Sequence, residues 1–294
     1  MSDQLDTNGF TERQFLEQYD ASQFDRPSVT VDMLIFTVAN QVENNYRKLP
    51  PKTLQLLLIK RGEHPYLGHW ALPGGFVQMN ESLDEAAARE LRSETNIDQI
   101  YMEQLYTWGD VQRDPRTRVI SCSYMALVDS HSLLVQAGED ADEAAWFDLT
   151  YQVLEEKKVN RNDGHEKETT IELRLQHNDM MLNAVIKITN ITKGRNTRIT
   201  REVMDSSGLA FDHARMIQYG LERLQNKIEY TDIAFNLMAE RFTLSELQQV
   251  YEIILGRDLL AAAFRRKVTD LVEPTDEYTK EAGHRPSRLY RYRS

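Results

Sequence analysis

The segment 74–97, GGFVQMNESLDEAAARELRSETNI, limits what this chain can fold into more than any other stretch. Gly74-Gly75 follows Leu72-Pro73, and a glycine pair lets backbone N–H groups approach a phosphate with no Cβ in the way. A run without Gly or Pro follows, rich in Ala, Glu, Leu and Arg, and its composition predicts a helix. Glu90 and Glu94 stand four apart on that helix, so their carboxylates share a face. Glu81, at the helix start, can join them. Such carboxylates opposite a glycine turn suit Mg²⁺ carried with a diphosphate. They equally suit a solvated amphipathic surface helix.

The spacing separates the two readings. Gly75, then Glu81, Arg89-Glu90-Leu91, Glu94 and Ile97 stand at offsets that resemble the Nudix box. Two positions depart from it. Asn96 replaces a glycine, a mild change because Asn tolerates the left-handed helix end. Ser93 replaces the first of a glutamate pair and removes the middle carboxylate of a stacked triad. With fewer anionic ligands Mg²⁺ is held less well and less transition-state charge is stabilised. The expectation is a nucleoside-diphosphate site with Glu81, Glu90 and Glu94 vestigial, and with Glu90 and Glu94 as weak metal ligands at most.

The 294 residues carry a net charge of -11 and are 41% hydrophobic, which fits a soluble globular protein of one large or two modest domains. No apolar run approaches a membrane span, and MSDQLDTNGF lacks the layout of a secretion signal. The single cysteine, Cys122, lies in VISCSYMALV, which reads as a core strand, and a cytoplasmic home fits. Charge is unevenly spread. Residues 229–294 hold 10 Lys+Arg against 11 Asp+Glu, leaving about -10 for residues 1–228. The final GHRPSRLYRYRS has Arg285, Arg288, Arg291 and Arg293 and no acid, a candidate phosphate-contacting surface.

VTVDMLIFTV, LQLLLI, 100–108 and 119–128 read as strands around the box helix, giving an α/β/α sandwich. Residues 151–167 read as an exposed linker, 169–175 and 180–191 as a hairpin, and KGRNTRITREVMDSSG as a loop. Residues 209–227 have helical spacing, and the domain boundary is placed after them, giving 1–228 and 229–294. The second domain reads as helices over 230–241, 244–255 and 257–271, a hairpin over 272–283 and a strand over 287–293. Thr243 with Glu246 predicts a capping box. Three helices and a basic hairpin are the layout of a winged helix-turn-helix, or of a small helical domain for protein contacts.

FDRPSVTVDMLIF, WALPGGFV with the box, QRDPRTRVIS, LAFDHARMI, FTLSELQQVYEIILG, FRRKV and RPSRLYRYR occur in an order that resembles the Nudix-related transcriptional regulators of NAD metabolism. The resemblance implies a Nudix-like domain that binds ADP-ribose with little or no hydrolysis, and a winged helix that binds a palindromic DNA operator as a homodimer until ADP-ribose releases it. No cofactor is required, although Mg²⁺ could accompany the ligand. The rival class is a Mg²⁺-dependent ADP-ribose pyrophosphatase.

On this reading Arg61, Gly74, Gly75, Arg113, Arg116 and Arg118 face the ligand. The three loop arginines suit pyrophosphate oxygens but equally suit a solvated loop. Trp108 or Trp70 stacks on adenine or belongs to the core. Thr243, Ser245, Arg265, Arg266, Lys267, Arg288 and Arg291 face DNA. Ala261–Ala263 depart from the family, since three alanines cannot hydrogen-bond to bases or phosphates. Phe15, Tyr19 and Phe24 in the N-terminal part are candidates for the dimer interface.

Overall fold

The structure, a computed structural model, describes residues 4–41, 49–96, 100–130, 141–161, 164–279 and 286–293. Its centre is β1 (Ser28–Asn40), which runs parallel to β6 (Val119–Val128) and antiparallel to β2 (Lys52–Arg61). β1 is apolar on both faces, as a strand buried on both sides must be. Val31, Met33 and Ile35 point to one side, where helix α2 (Leu83–Thr95) covers them with Ala86, Ala87 and Leu91. Leu34 and Phe36 point to the other, against Met216, Ile217, Leu221 and Leu224 of helix α3 (His213–Tyr230). This two-sided burial produces the expected α/β/α sandwich. Cys122 is buried on β6, as its sequence predicts.

Five further strands complete the path of the sheet: β5 (Tyr101–Trp108) beside β6, and β7 (Ala141–Arg161), β8 (Gly164–His177), β9 (Met180–Lys193) and β10 (Asn196–Ser207) beyond β2. Two short strands, β3 (Trp70–Ala71) and β4 (Gly74–Phe76), pair with β2 and β1. The hairpin turn at Asn178-Asp179 falls where expected, with Asn178 at φ 51°. Two expectations fail. Of the polar stretch 151–167 expected as linker, 151–161 and 164–167 are strand, and the presumed loop before Gly208 is β10. Residues 151–160 are exposed throughout. They are held by the backbone ladder to β8 rather than by a buried face, so period-2 hydrophobic patterning is absent.

Helix α1 (Glu12–Gln18) buries no residue. At the other end, α3 runs on to Tyr230, so the boundary expected at 228/229 falls inside its last turn. The helix expected over 230–241 is only a 3-10 segment, Ile233–Leu237, because Thr231 ends α3 in an extended conformation. α4 (Leu244–Leu255) spans the range expected and ends at left-handed Gly256. α5 (Ala261–Val268) is shorter than the 257–271 expected, followed by a 3-10 turn at Thr269–Leu271. β11 (Val272–Tyr278) and β12 (Arg288–Tyr292) form the wing; Arg285 and Ile97 lie outside the described residues.

Two glycines mark close approaches of different hardness. A Cβ on Gly74 would collide with the Val31 carbonyl oxygen, which is backbone. One on Gly220 would meet a methyl of Leu34, a side chain that can turn aside. Gly74→Ala should therefore destabilise the protein by about 1–3 kcal/mol. Gly220→Ala should lie within about 1 kcal/mol of wild type, because helix propensity offsets the crowding. Thermal unfolding of the two variants checks the order; equal losses would contradict it.

Candidate ligand cleft and nucleic-acid interface

A cleft of about 190 Å³ opens where β1, β2 and β4 meet the 109–118 loop and the start of α3. Of the residues expected at a ligand, Arg61, Gly74, Gly75, Arg113 and Arg116 line it. Arg116 pairs with Asp114 at 2.8 Å and lies 5.6 Å from the ring centre of Phe76; the Asp114 bonds raise the arginine pKa. Arg61 lies 5.0 Å from the ring centre of Phe211 and donates to the Pro65 carbonyl.

Trp108 and Arg118 do not line this cleft. Trp108 is buried, and its indole N–H donates to Ser123 Oγ at 2.9 Å. Arg118 turns to the Asp110 carbonyl at 3.1 Å. Trp70 is also core, packed edge-on against Phe147 at 4.7 Å. The rings that do line the cleft are Phe76 and Phe211. Phe211 packs at 4.7 Å on Tyr66.

Beneath the cleft lies a buried ion group. The Arg113 side chain, 5% exposed, bonds Asp212 at 2.9 Å and stands 3.5 Å from Asp32. Asp32 also accepts from Ser121 Oγ. His213 completes the floor: its Nδ1 accepts from Leu72 N at 2.9 Å, so its proton sits on Nε2, 3.6 Å from Asp32. Burial lowers the His213 pKa against the pull of Asp32 and Asp212, so the ring is neutral. Asp32, Asp212 and His213 went unassigned in the sequence, as did both phenylalanines. The available signal was the run Phe211-Asp212-His213 opening a helix after Gly208, polar groups where an apolar helix face begins.

The box acids stand beside the cleft. A Cβ on Gly75 would meet Glu90 Oε1, so glycine lets β4 lie against that carboxylate without displacing it. Arg89 holds Glu81 with two bonds, 3.0 and 2.7 Å, and reaches Glu90 at 2.5 Å. Its hydrogen bonds bring the Glu81 pKa down to about 2. Ser93 is exposed, and its hydroxyl donates to the Glu90 carbonyl at 2.8 Å, an intrahelical bond in place of a carboxylate. Asn96 is left-handed at φ 56°, the conformation expected of the missing glycine. Among the described residues no group of three or more His, Cys, Asp or Glu side chains gathers to hold a metal.

On the presumed DNA face, Arg265, Arg266 and Lys267 are exposed on α5, as are Ala261–Ala263 in its first turn. Lys267 lies 5.0 Å from the ring centre of Tyr251. On the wing, Arg291 pairs with Glu273 at 2.8 Å and Arg288 approaches Asp276 at 3.7 Å. Ser245 is exposed in the first turn of α4. Thr243 departs from expectation. It is 4% exposed, and its hydroxyl accepts from Glu246 N at 3.1 Å while donating to Glu246 Oε2 at 2.9 Å. The capping box predicted there consumes the group that a phosphate would need.

Comparison with known proteins follows the same division. A model of the NUDIX domain matches residues 49–165, and one of the NrtR DNA-binding winged helix domain matches 234–292. The ADPR responsive transcriptional repressor NtrR of Acinetobacter baylyi is 34% identical over 292 residues, 98% of this chain and 91% of the relative. A MutT/nudix family protein from Enterococcus faecalis superimposes with a TM-score of 0.66 at 27% identity, over 97% of this chain and 94% of that one. Shewanella oneidensis NrtR complexed with a 27mer DNA superimposes with a TM-score of 0.60 at 28% identity, over 90% and 93%. With a near full-length relative at this identity, and both domain models matched in order, the chain belongs to the NrtR family of Nudix-related regulators.

Proposed function

We propose that this protein is a cytoplasmic, homodimeric repressor of NAD-metabolism genes that binds a palindromic operator and leaves it when ADP-ribose fills the cleft. The observation that carries this reading is α3. Asp212 at its start pairs with Arg113 under the cleft, and Gln225 near its far end donates to the Ile254 carbonyl of α4 at 3.0 Å. A change at the cleft floor therefore reaches the winged helix through one rigid element. The name of the Acinetobacter relative supports both the ligand and the repression, and the Shewanella complex supports the DNA. By linkage, ADP-ribose acts this way only if it binds the DNA-incompetent arrangement more tightly.

Within this reading the pyrophosphate lies against Arg116 and the backbone of Gly74-Gly75, and Phe76 or Phe211 offers a face to the adenine. Arg113 serves the floor rather than the ligand. The box acids suit a metal poorly: Arg89 binds both Glu81 and Glu90, and Ser93 supplies no charge. Hydrolysis is accordingly weak or absent. For the dimer, Phe15, Tyr19 and Phe24 form an exposed cluster, with ring centres 5.7 and 6.1 Å apart. On DNA the wing arginines exchange glutamate and aspartate for phosphate. Exposed pairs of this kind contribute at most about 1 kcal/mol, so phosphate displaces the acids readily.

The tests address ligand binding, hydrolysis and DNA binding in turn. Arg116→Ala should weaken ADP-ribose binding by about 1–3 kcal/mol in calorimetry. Arg113→Ala is the poorer test, since stranding buried carboxylates costs about 3–5 kcal/mol of stability. Wild-type turnover of ADP-ribose with Mg²⁺ should be near background and should rise in Ser93→Glu; brisk wild-type cleavage would favour the pyrophosphatase instead. In a gel shift at fixed salt, ADP-ribose should release operator DNA. Arg265→Ala with Arg266→Ala should weaken DNA binding while leaving ADP-ribose affinity unchanged. The slope of its salt dependence should fall by about 0.9 for each phosphate that the variant leaves unneutralised. Operator affinity indifferent to bound ADP-ribose would sink the sensor reading.

A further inference from the structure

A second cavity, about 670 Å³, lies between β5, β10 and α3. It falls in the usual range for small-molecule sites. Three guanidinium groups, Arg198, Arg201 and Arg215, face it against the one carboxylate of Asp110, in a protein of net charge -11. Tyr106, Trp108 and Tyr219 form one wall as a cluster, with ring centres 4.9 to 5.7 Å apart. Trp108 and Tyr219 are already faced by Arg215 and Arg201, at 4.9 and 5.1 Å. Tyr106 is 50% exposed and offers a free edge of that wall. Arg201 is anchored by Gln218 and Glu222, at 2.7 Å each. Among the described residues no carboxylate pairs with Arg198.

We propose that this cavity is a second ligand site, taking a planar aromatic ring that carries an anionic group, of the size of a mononucleotide. The ring stacks on Tyr106, as bases stack on exposed aromatic side chains. The anion bonds Arg198 and draws on Arg215, whose planar donors suit a phosphate. Arg215 is the hinge of the proposal. It bonds Asp110 at the cavity and stands 3.4 Å from Asp212, the residue that holds Arg113 under the first cleft. An anion that draws Arg215 away from Asp212 changes the charge around Arg113, so the two sites report to one another across the first turn of α3.

The test is calorimetric titration of the full-length protein with adenosine 5′-monophosphate, repeated with inorganic phosphate. Tyr106→Ala and Arg198→Ala should each weaken the nucleotide by about tenfold or more, about 1.4 kcal/mol. Arg116→Ala, in the first cleft, should leave it within about twofold, below about 0.5 kcal/mol. Both altered side chains of the second cavity are exposed, so melting temperatures should match wild type. Three results would overturn the proposal: no saturable binding of the nucleotide to wild type; loss in Arg116→Ala with Tyr106→Ala and Arg198→Ala intact, which places the nucleotide in the first cleft; and inorganic phosphate binding as tightly as the nucleotide, which removes any role for the ring.

Discussion

Arg113 sits between Asp32 and Asp212, and the rest of the molecule is arranged around the need to keep that group intact. A guanidinium 5% exposed to solvent is costly to bury unless its partners are fixed, and here they come from distant parts of the chain. Asp32 belongs to the central strand, Arg113 to a loop, and Asp212 to the start of α3. Ser121 and His213 secure the first carboxylate further, the histidine held neutral by its burial. Buried ion groups of this kind add little net stability, but they penalise any arrangement in which a member is misplaced. The start of α3 is thereby tied to the sheet, while its other end enters the winged helix.

The same selectivity explains how the box helix keeps its place with a serine at position 93. Gly75 lets β4 pass directly over Glu90 without displacing its carboxylate, and Arg89 binds Glu81, Glu90 and the Phe76 carbonyl together. These contacts shape the wall of the cleft. Position 93 contributes to none of them: it is exposed, and serine satisfies itself against the helix backbone. A carboxylate lost there removes charge without disturbing the wall.

The fold was legible wherever burial imposed a period. β1, β2 and β6 followed from their apolar patterns, α2 from its composition, and the capping box at Thr243 and the left-handed end at Asn96 from local rules. The polar strands were not legible, because β7 beyond residue 150 and β10 face solvent and rest on main-chain pairing. Nor was the floor of the cleft. Asp32 interrupts an apolar strand with one acid, and Asp212-His213 precede a helix where capping is commonplace, so neither shows its partner in one dimension. The tryptophans, open in the sequence between ligand and core, are nearly fully buried, and Phe76 and Phe211 line the cleft.

The polar ladder has one further consequence. From Tyr151 to Arg161, β7 pairs with β8, and its residues are exposed through position 160. In a sheet buried on one side, a shift of one residue would turn every apolar side chain outward. Here that penalty is small, and what fixes the strands is the length of their backbone ladder. Such an arm can gain or lose residues in pairs at its far end without strain at the cleft some ten residues away. The part of the same strand from Ala144 to Leu149 is held differently, with Ala145, Phe147 and Leu149 buried in the core.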